Sequence, residues 1–111
     1  MLSLSILNEL QQLTDQMNAD PEHIQSLHAV YQFDLDEAGI YQVIFRDGTV
    51  KASEGAADAA ECTLILSEDH FRKLLKDELN TTMAFMLRTL KVEGKVGLAL
   101  KLQEIVKHYV K

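Results

Sequence analysis

The sequence has no tryptophan, one proline and one cysteine. With Cys62 alone no internal disulfide can form, so the fold must hold by its core in a reducing compartment. No apolar run approaches the ~20 residues a membrane span needs, which excludes an integral membrane segment. Met1 to Ile6 lacks the basic stretch and apolar run of a signal peptide. No repeat, low-complexity stretch or linker interrupts the 111 residues, so one domain, 1–111, is expected. Positive charge is scarce: 11 basic residues against 17 acidic give a net −6. That balance opposes non-specific binding to nucleic acid or to an anionic membrane. The ending His108-Tyr109-Val110-Lys111 is not a peroxisomal tripeptide, and a cytoplasmic location is the expectation.

Chemistry-bearing motifs are absent too. His23, His28, His70 and His108 share no metal-ligand spacing with each other or with Cys62, so neither a metal nor a cofactor is expected. Cys62 falls on the apolar face of a strand, where a thiol is ordinarily buried and inert. Asp34, Asp36 and Glu61 read as solvated carboxylates rather than an acid–base pair. Asp47-Gly48 and Gly94-Lys95-Val96-Gly97 lack the spacing of phosphate loops. Nothing here marks an enzyme.

What is present is a clear alternation of periods. Ile6, Leu10, Leu13 and Met17 recur at helical spacing after Ser3, a candidate N-cap, and Asp20-Pro21 should end that helix. Glu9 and Asp15 deny it a basic face for a membrane, so it should pack on the domain. Asp20 should cap a short helical turn through Leu27, with Pro21 first in it. Ala29, Tyr31, Phe33 and Leu35 then alternate with polar residues in a strand, followed by a turn at Asp36 to Gly39. Tyr41, Val43 and Phe45 mark a second strand, and Asp47-Gly48 a two-residue hairpin that sets Phe45 opposite Val50 and Val43 opposite Ala52.

Gly55 to Ala60 reads as a loop, and Cys62, Leu64 and Leu66 as one face of a fourth strand. Ser67 should cap a helix with Glu68 and Asp69 in its first turn, burying Phe71, Leu74 and Leu75. Asn80 or Thr81 should cap a short helix, Met83 to Leu87, that is apolar nearly all round. Leu90 and Val92 mark a fifth strand ending at Gly94. A closing helix from about Val96 should bury Leu98, Leu102, Ile105, Val106 and Tyr109. Half-wet strands place the helices on one face, which makes an α+β fold of two layers.

The segment Met83 to Leu87 needs cover from all directions, either by ordinary core side chains or by a ligand. Its methionines would make adaptable walls, and the low count of bulky aromatics leaves few fillers for the space between the layers.

From Ala29 to Val106 the chain resembles the sterol-carrier-protein-2 family. The resemblance is carried by Glu61-Cys62-Thr63-Leu64-Ile65-Leu66-Ser67 with Asp69 and Phe71, by Met83-Ala84-Phe85-Met86 leading to Leu90-Lys91-Val92-Glu93-Gly94, and by Ala99 and Leu102. Two positions depart: Arg88-Thr89 stands where the family has glycine and lysine, and Lys95 where an acidic residue or asparagine is common. The resemblance implies a five-stranded, mostly antiparallel sheet with helices on one face and an apolar tunnel between the layers. The ligand would be a fatty acid, fatty acyl ester or sterol-like lipid, bound without chemistry. Phe71, Leu75, Met83, Met86, Leu90 and Leu102 are then the candidate walls, with Phe33, Val43 and Leu64 on the sheet side. The competing reading is an interaction or dimerisation module with a filled core, which leaves a homodimer open.

Overall fold

A computed structural model describes residues 2–110, with side chains described from residue 6 onward. Helix α1, Leu2–Ala19, stops one residue short of Asp20-Pro21 and buries Ile6, Leu10, Leu13 and Met17 along one stripe. The side chain of Ser3 lies outside the described residues. A 3-10 turn, Pro21–His23, follows with Pro21 at its start. It is shorter than expected, and the Asp20 side chain makes no capping hydrogen bond. Strand β1, Ala29–Asp34, leads through a second 3-10 turn, Asp36–Ala38, to β2, Ile40–Arg46, and β3, Thr49–Glu54. The hairpin at Asp47-Gly48 sets Phe45 against Val50 and Val43 against Ala52, the register read from the sequence.

Strand β4, Cys62–Ile65, does not pair with β3. It crosses to the far side of β1 and runs parallel to it, so the sheet order is β3-β2-β1-β4-β5. The three other pairings are antiparallel. Residues 55–61 therefore pass over the sheet face opposite the helices. Gln42 fastens them: its side chain exchanges two hydrogen bonds with the Asp58 backbone (2.8 and 3.2 Å) and gives a third to Gln32 (2.9 Å). This explains why Gln42 on a nominally wet face is buried, and why Val30, which broke the polar alternation, is buried beside Ile44. An amide with three bonds replaces the water it gives up.

Helix α2, Glu68–Leu75, is capped by Ser67, whose hydroxyl accepts from the His70 N–H at 3.2 Å. Arg72 ties α2 to α1 by pairing with Glu9 while also bonding Glu68 at 2.8 Å. Helix α3, Thr81–Met86, is capped by Asn80 through the Met83 N–H at 3.0 Å. Strand β5, Lys91–Gly94, completes the sheet, and α4, Val96–Tyr109, crosses its helical side. In α4 Leu102, Ile105 and Val106 are buried as expected, Ala99 is buried as well, and Leu98 and Tyr109 are half-buried. Asn18 pairs with both backbone groups of Val50 (2.8 and 2.9 Å), so the side chain of α1 supplies hydrogen bonds to edge strand β3.

Glu61 locks the crossover's end. Its carboxylate accepts from the Val30 N–H (3.1 Å) and from Lys95 (3.2 Å), and its carbonyl accepts from the Lys95 N–H (2.9 Å). The bond from Lys95, then that from Val30, holds its carboxyl below the ordinary value of 4.5. The resulting stabilisation is present above that value and lost as the pH falls through the lower value of the folded chain.

Two variants test this packing. Leu102, 4% exposed in the middle of α4, should lose about 2–5 kcal/mol as Leu102→Ala in a urea titration. Gly94 sits at φ +89° with the Glu61 carbonyl oxygen where a Cβ would be, so Gly94→Ala should cost more than about 1 kcal/mol. A loss under about 0.5 kcal/mol for either would contradict the geometry.

Candidate ligand-binding groove

The space between sheet and helices is filled. Tyr31, Tyr41, Phe33, Phe45 and Phe71 are all buried there, with Phe33 against Phe71 at 5.0 Å and Tyr31 against Phe45 at 5.6 Å between ring centroids. Aromatic residues are few in the chain, but five of its seven converge on one layer. What remains is a void of about 10 Å³ bordered by Leu10, Met17, Phe33, Val43, Leu75 and Leu102. That is room for about one water and not for an acyl chain. Among the described residues the inter-layer tunnel expected from the resemblance is not open.

The nine candidate wall residues accordingly separate. Phe33, Val43, Leu75 and Leu102 border the void, while Leu64 and Phe71 are buried in the surrounding core. Leu90 and Met86 line a different space, at the outer end of the sheet. Met83 lies on the surface and borders neither.

The apolar helix also departs from expectation. Met83, Phe85, Met86 and Leu87 are 57%, 45%, 75% and 68% exposed, so no element covers them. A helix of six residues can turn only one stripe inward, here Thr81 and Ala84. Val96 and Leu100 of α4 are exposed as well, and these six are the large apolar side chains left open among the described residues.

Two of them, Phe85 and Met86, border an open groove of about 600 Å³, with Arg88 on the same side and Leu90 to Glu93 on the other. Phe85 and Val92 also border an adjoining apolar pocket of about 90 Å³, closed by Thr81, Thr82, Val96, Ala99 and Leu100. The cleft thus runs between α3, β5 and the start of α4. Thr81 N–H is held by Gln103 at 3.0 Å, but the buried Thr81 hydroxyl has no partner. Composition carries no trace of that orphan oxygen; Asn80 and Thr81 read only as alternative caps.

Arg88 ends α3 at φ +64°, in a C-terminal turn where the Arg88 N–H reaches the Phe85 carbonyl (3.2 Å) and the Thr89 N–H the Ala84 carbonyl (3.0 Å). Glycine is the unstrained residue at such a position, which accounts for the family glycine expected there.

No reactive centre accompanies the groove. Burial pushes the Cys62 thiol up to about 11, and the Tyr31 hydroxyl, buried and donating to the Leu98 carbonyl at 2.7 Å, is also raised. Among the described residues no three His, Cys, Asp or Glu are placed to hold a metal ion.

The model of the "SCP-2 sterol transfer family" matches residues 7–107. The chain belongs to this family. It is 31% identical over 90 residues to hydroxysteroid dehydrogenase-like protein 2 of Rattus norvegicus, covering 78% of this chain but 17% of that protein. The chain therefore spans less than a fifth of that relative. Among solved structures, apo sterol carrier protein 2 from Yarrowia lipolytica superposes with a TM-score of 0.72 at 26% identity, covering 94% of this chain and 88% of that one. Palmitated SCP2L2 from Aedes aegypti shares the fold with a TM-score of 0.68 at 19% identity, covering 93% and 95%. This SCP-2 chain has the five-stranded mixed sheet and helical layer of those neighbours.

The thiol gives a simple check on the filled layer. Cys62 should resist a maleimide reagent at pH 8 in the native state and react at least about a hundredfold faster in denaturing urea. Rapid native labelling would show that the layer opens readily.

Proposed function

We propose that this SCP-2 domain binds one apolar ligand, such as a fatty acid, fatty acyl ester or sterol-like lipid, in the cleft between α3, β5 and α4, and does no chemistry on it. One observation carries the reading: four of the six open apolar side chains of the described surface, Phe85, Met86, Val96 and Leu100, border one groove and its adjoining pocket. Its 600 Å³ is in the ~300–1,000 Å³ range of small-molecule sites. Each methylene moved from water into it contributes roughly 0.8 kcal/mol. That this fold has been solved in palmitated form in the mosquito protein supports an acyl ligand. The dehydrogenase-like name of the longer relatives is not carried over, since the matched segment is a small part of them. The Thr81 hydroxyl would supply a polar contact on the pocket side, for an oxygen of the ligand.

Fluorescent fatty acid titration, with native mass spectrometry for a co-purified lipid, tests the proposal. The parent should bind one equivalent at micromolar concentration. Leu100→Trp, at a half-exposed pocket wall, should weaken binding at least about tenfold without lowering the melting temperature. Met83→Ala, outside the groove, should leave binding unchanged. If no fatty acid, acyl ester or sterol binds at micromolar concentration, the domain is an interaction module with a filled core.

A further inference from the structure

The net charge of −6 conceals a division. Residues 81–111 hold six of the eleven basic side chains and two of the seventeen acidic ones, a net +4, against −10 for residues 1–80. The division follows the fold: the positive segment comprises α3, β5 and α4. It is also where the exposed apolar side chains lie.

Arg88 and Lys91 line the groove beside Phe85 and Met86, and on α4 the exposed Glu104 lies one turn from Leu100. Lys95 is paired with Glu61, whereas Arg88 and Lys91 make no ion pair among the described residues. Glu93 is the acidic residue in the groove wall. Arg88, moreover, holds a left-handed conformation that arginine adopts only at a cost, and the other non-glycine residues with positive φ are all aspartates. The strained position puts a cation at the rim of the apolar patch.

We propose that this face docks the domain on an anionic lipid bilayer, with Met83, Phe85, Met86 and Leu87 entering the interface and Arg88 and Lys91 meeting headgroups. Apolar side chains rimmed by unpaired cations suit such a surface. A second copy of the chain fits it poorly, because self-association would set one cationic rim against another. The rest of the molecule, net negative, would be repelled by the same bilayer, which turns this face toward it. Docked so, the groove opens onto the hydrocarbon from which an apolar ligand would come. The inference rests on the ligand reading for its purpose but not for its test, which uses ligand-free vesicles.

The experiment is flotation with phosphatidylcholine vesicles with and without roughly 30% phosphatidylglycerol. The parent should float with the anionic vesicles alone, and lose at least about tenfold in affinity as salt nears 1 M. Arg88→Glu with Lys91→Glu should lose at least about tenfold, as should Met86→Ser with Leu87→Ser. These side chains are exposed, and unchanged circular dichroism melts would confirm that the variants fold. Because the chain has no tryptophan, Met86→Trp gives a clean reporter whose emission should shift to the blue on anionic vesicles. No flotation, flotation that both double variants retain, or an unshifted Met86→Trp spectrum would overturn the proposal. A parent that sediments as a dimer and becomes monomeric in the Met86→Ser, Leu87→Ser variant would assign the face to a second copy and equally overturn it. Failure here leaves fatty acid binding to stand or fall by its own titration.

Discussion

Strand β1 is the constraint on which the rest depends. It lies at the centre of the sheet, antiparallel to β2 and parallel to β4, so the chain must leave β3 at one edge and re-enter on the other side of β1. Such a crossover needs cover on its face and a fixed end point. In many α/β proteins a helix provides both. Here a seven-residue coil does, and Gln42 and Glu61 hold it from the sheet side by hydrogen bonds to its backbone and from its own carboxylate. The consequence is that the helices are all free for the opposite face. They fill it with the α1 stripe, α2 and α4, around the aromatic cluster.

That filling decides where a ligand can go. Widening the void of about 10 Å³ to take an acyl chain would move rings packed 5–6 Å apart, which close-packed interiors resist. The cover is thinnest at the other end of the sheet. Strand β5 is an edge of four residues, and the helix beside it has six. Two short elements cannot enclose the side chains they carry, so the surplus apolar surface appears as an exposed patch and a cleft. Patches of this kind on a domain's surface mark contact sites more often than accidents.

The parts of this arrangement that are local in sequence were readable from it. The Asp47-Gly48 turn sets the hairpin register, Ser67 and Asn80 cap their helices, and the alternation around Tyr31 and Phe33 gives the buried face, because each depends on neighbours a few residues away. Gln42, Asn18 and Glu61 were not readable in the same way. Their partners are 10 to 34 residues distant, and a polar residue on a strand or helix looks solvated until the partner's position is known. The grouping of the candidate wall residues was beyond the sequence for a related reason. Hydrophobic periodicity says which side chains would rather avoid water, not whether enough chain exists to cover them. Leu90 and Met86 were brought to one groove, Phe33, Val43, Leu75 and Leu102 to the packed layer, and Met83 to neither.

Net charge misleads in the same manner, because a sum over the chain has no direction. An acidic total argues against anionic surfaces only if the charge is spread evenly, and here it is not. Field strength at a surface is set by the charges within about a Debye length, roughly 8–10 Å at physiological salt. Over that distance the rim of the α3–β5 cleft presents Arg88 and Lys91 unpaired and Glu93 as the acidic residue of its wall. A protein that exchanges an apolar ligand with a bilayer has two opposed needs: to stay soluble and dispersed, and to settle repeatedly with one end down. Overall acidity serves the first by mutual repulsion, and a single cationic, apolar end serves the second. The polarity of this small domain would meet both with the same charges, which joins the proposed orientation on a surface to the position of the cleft.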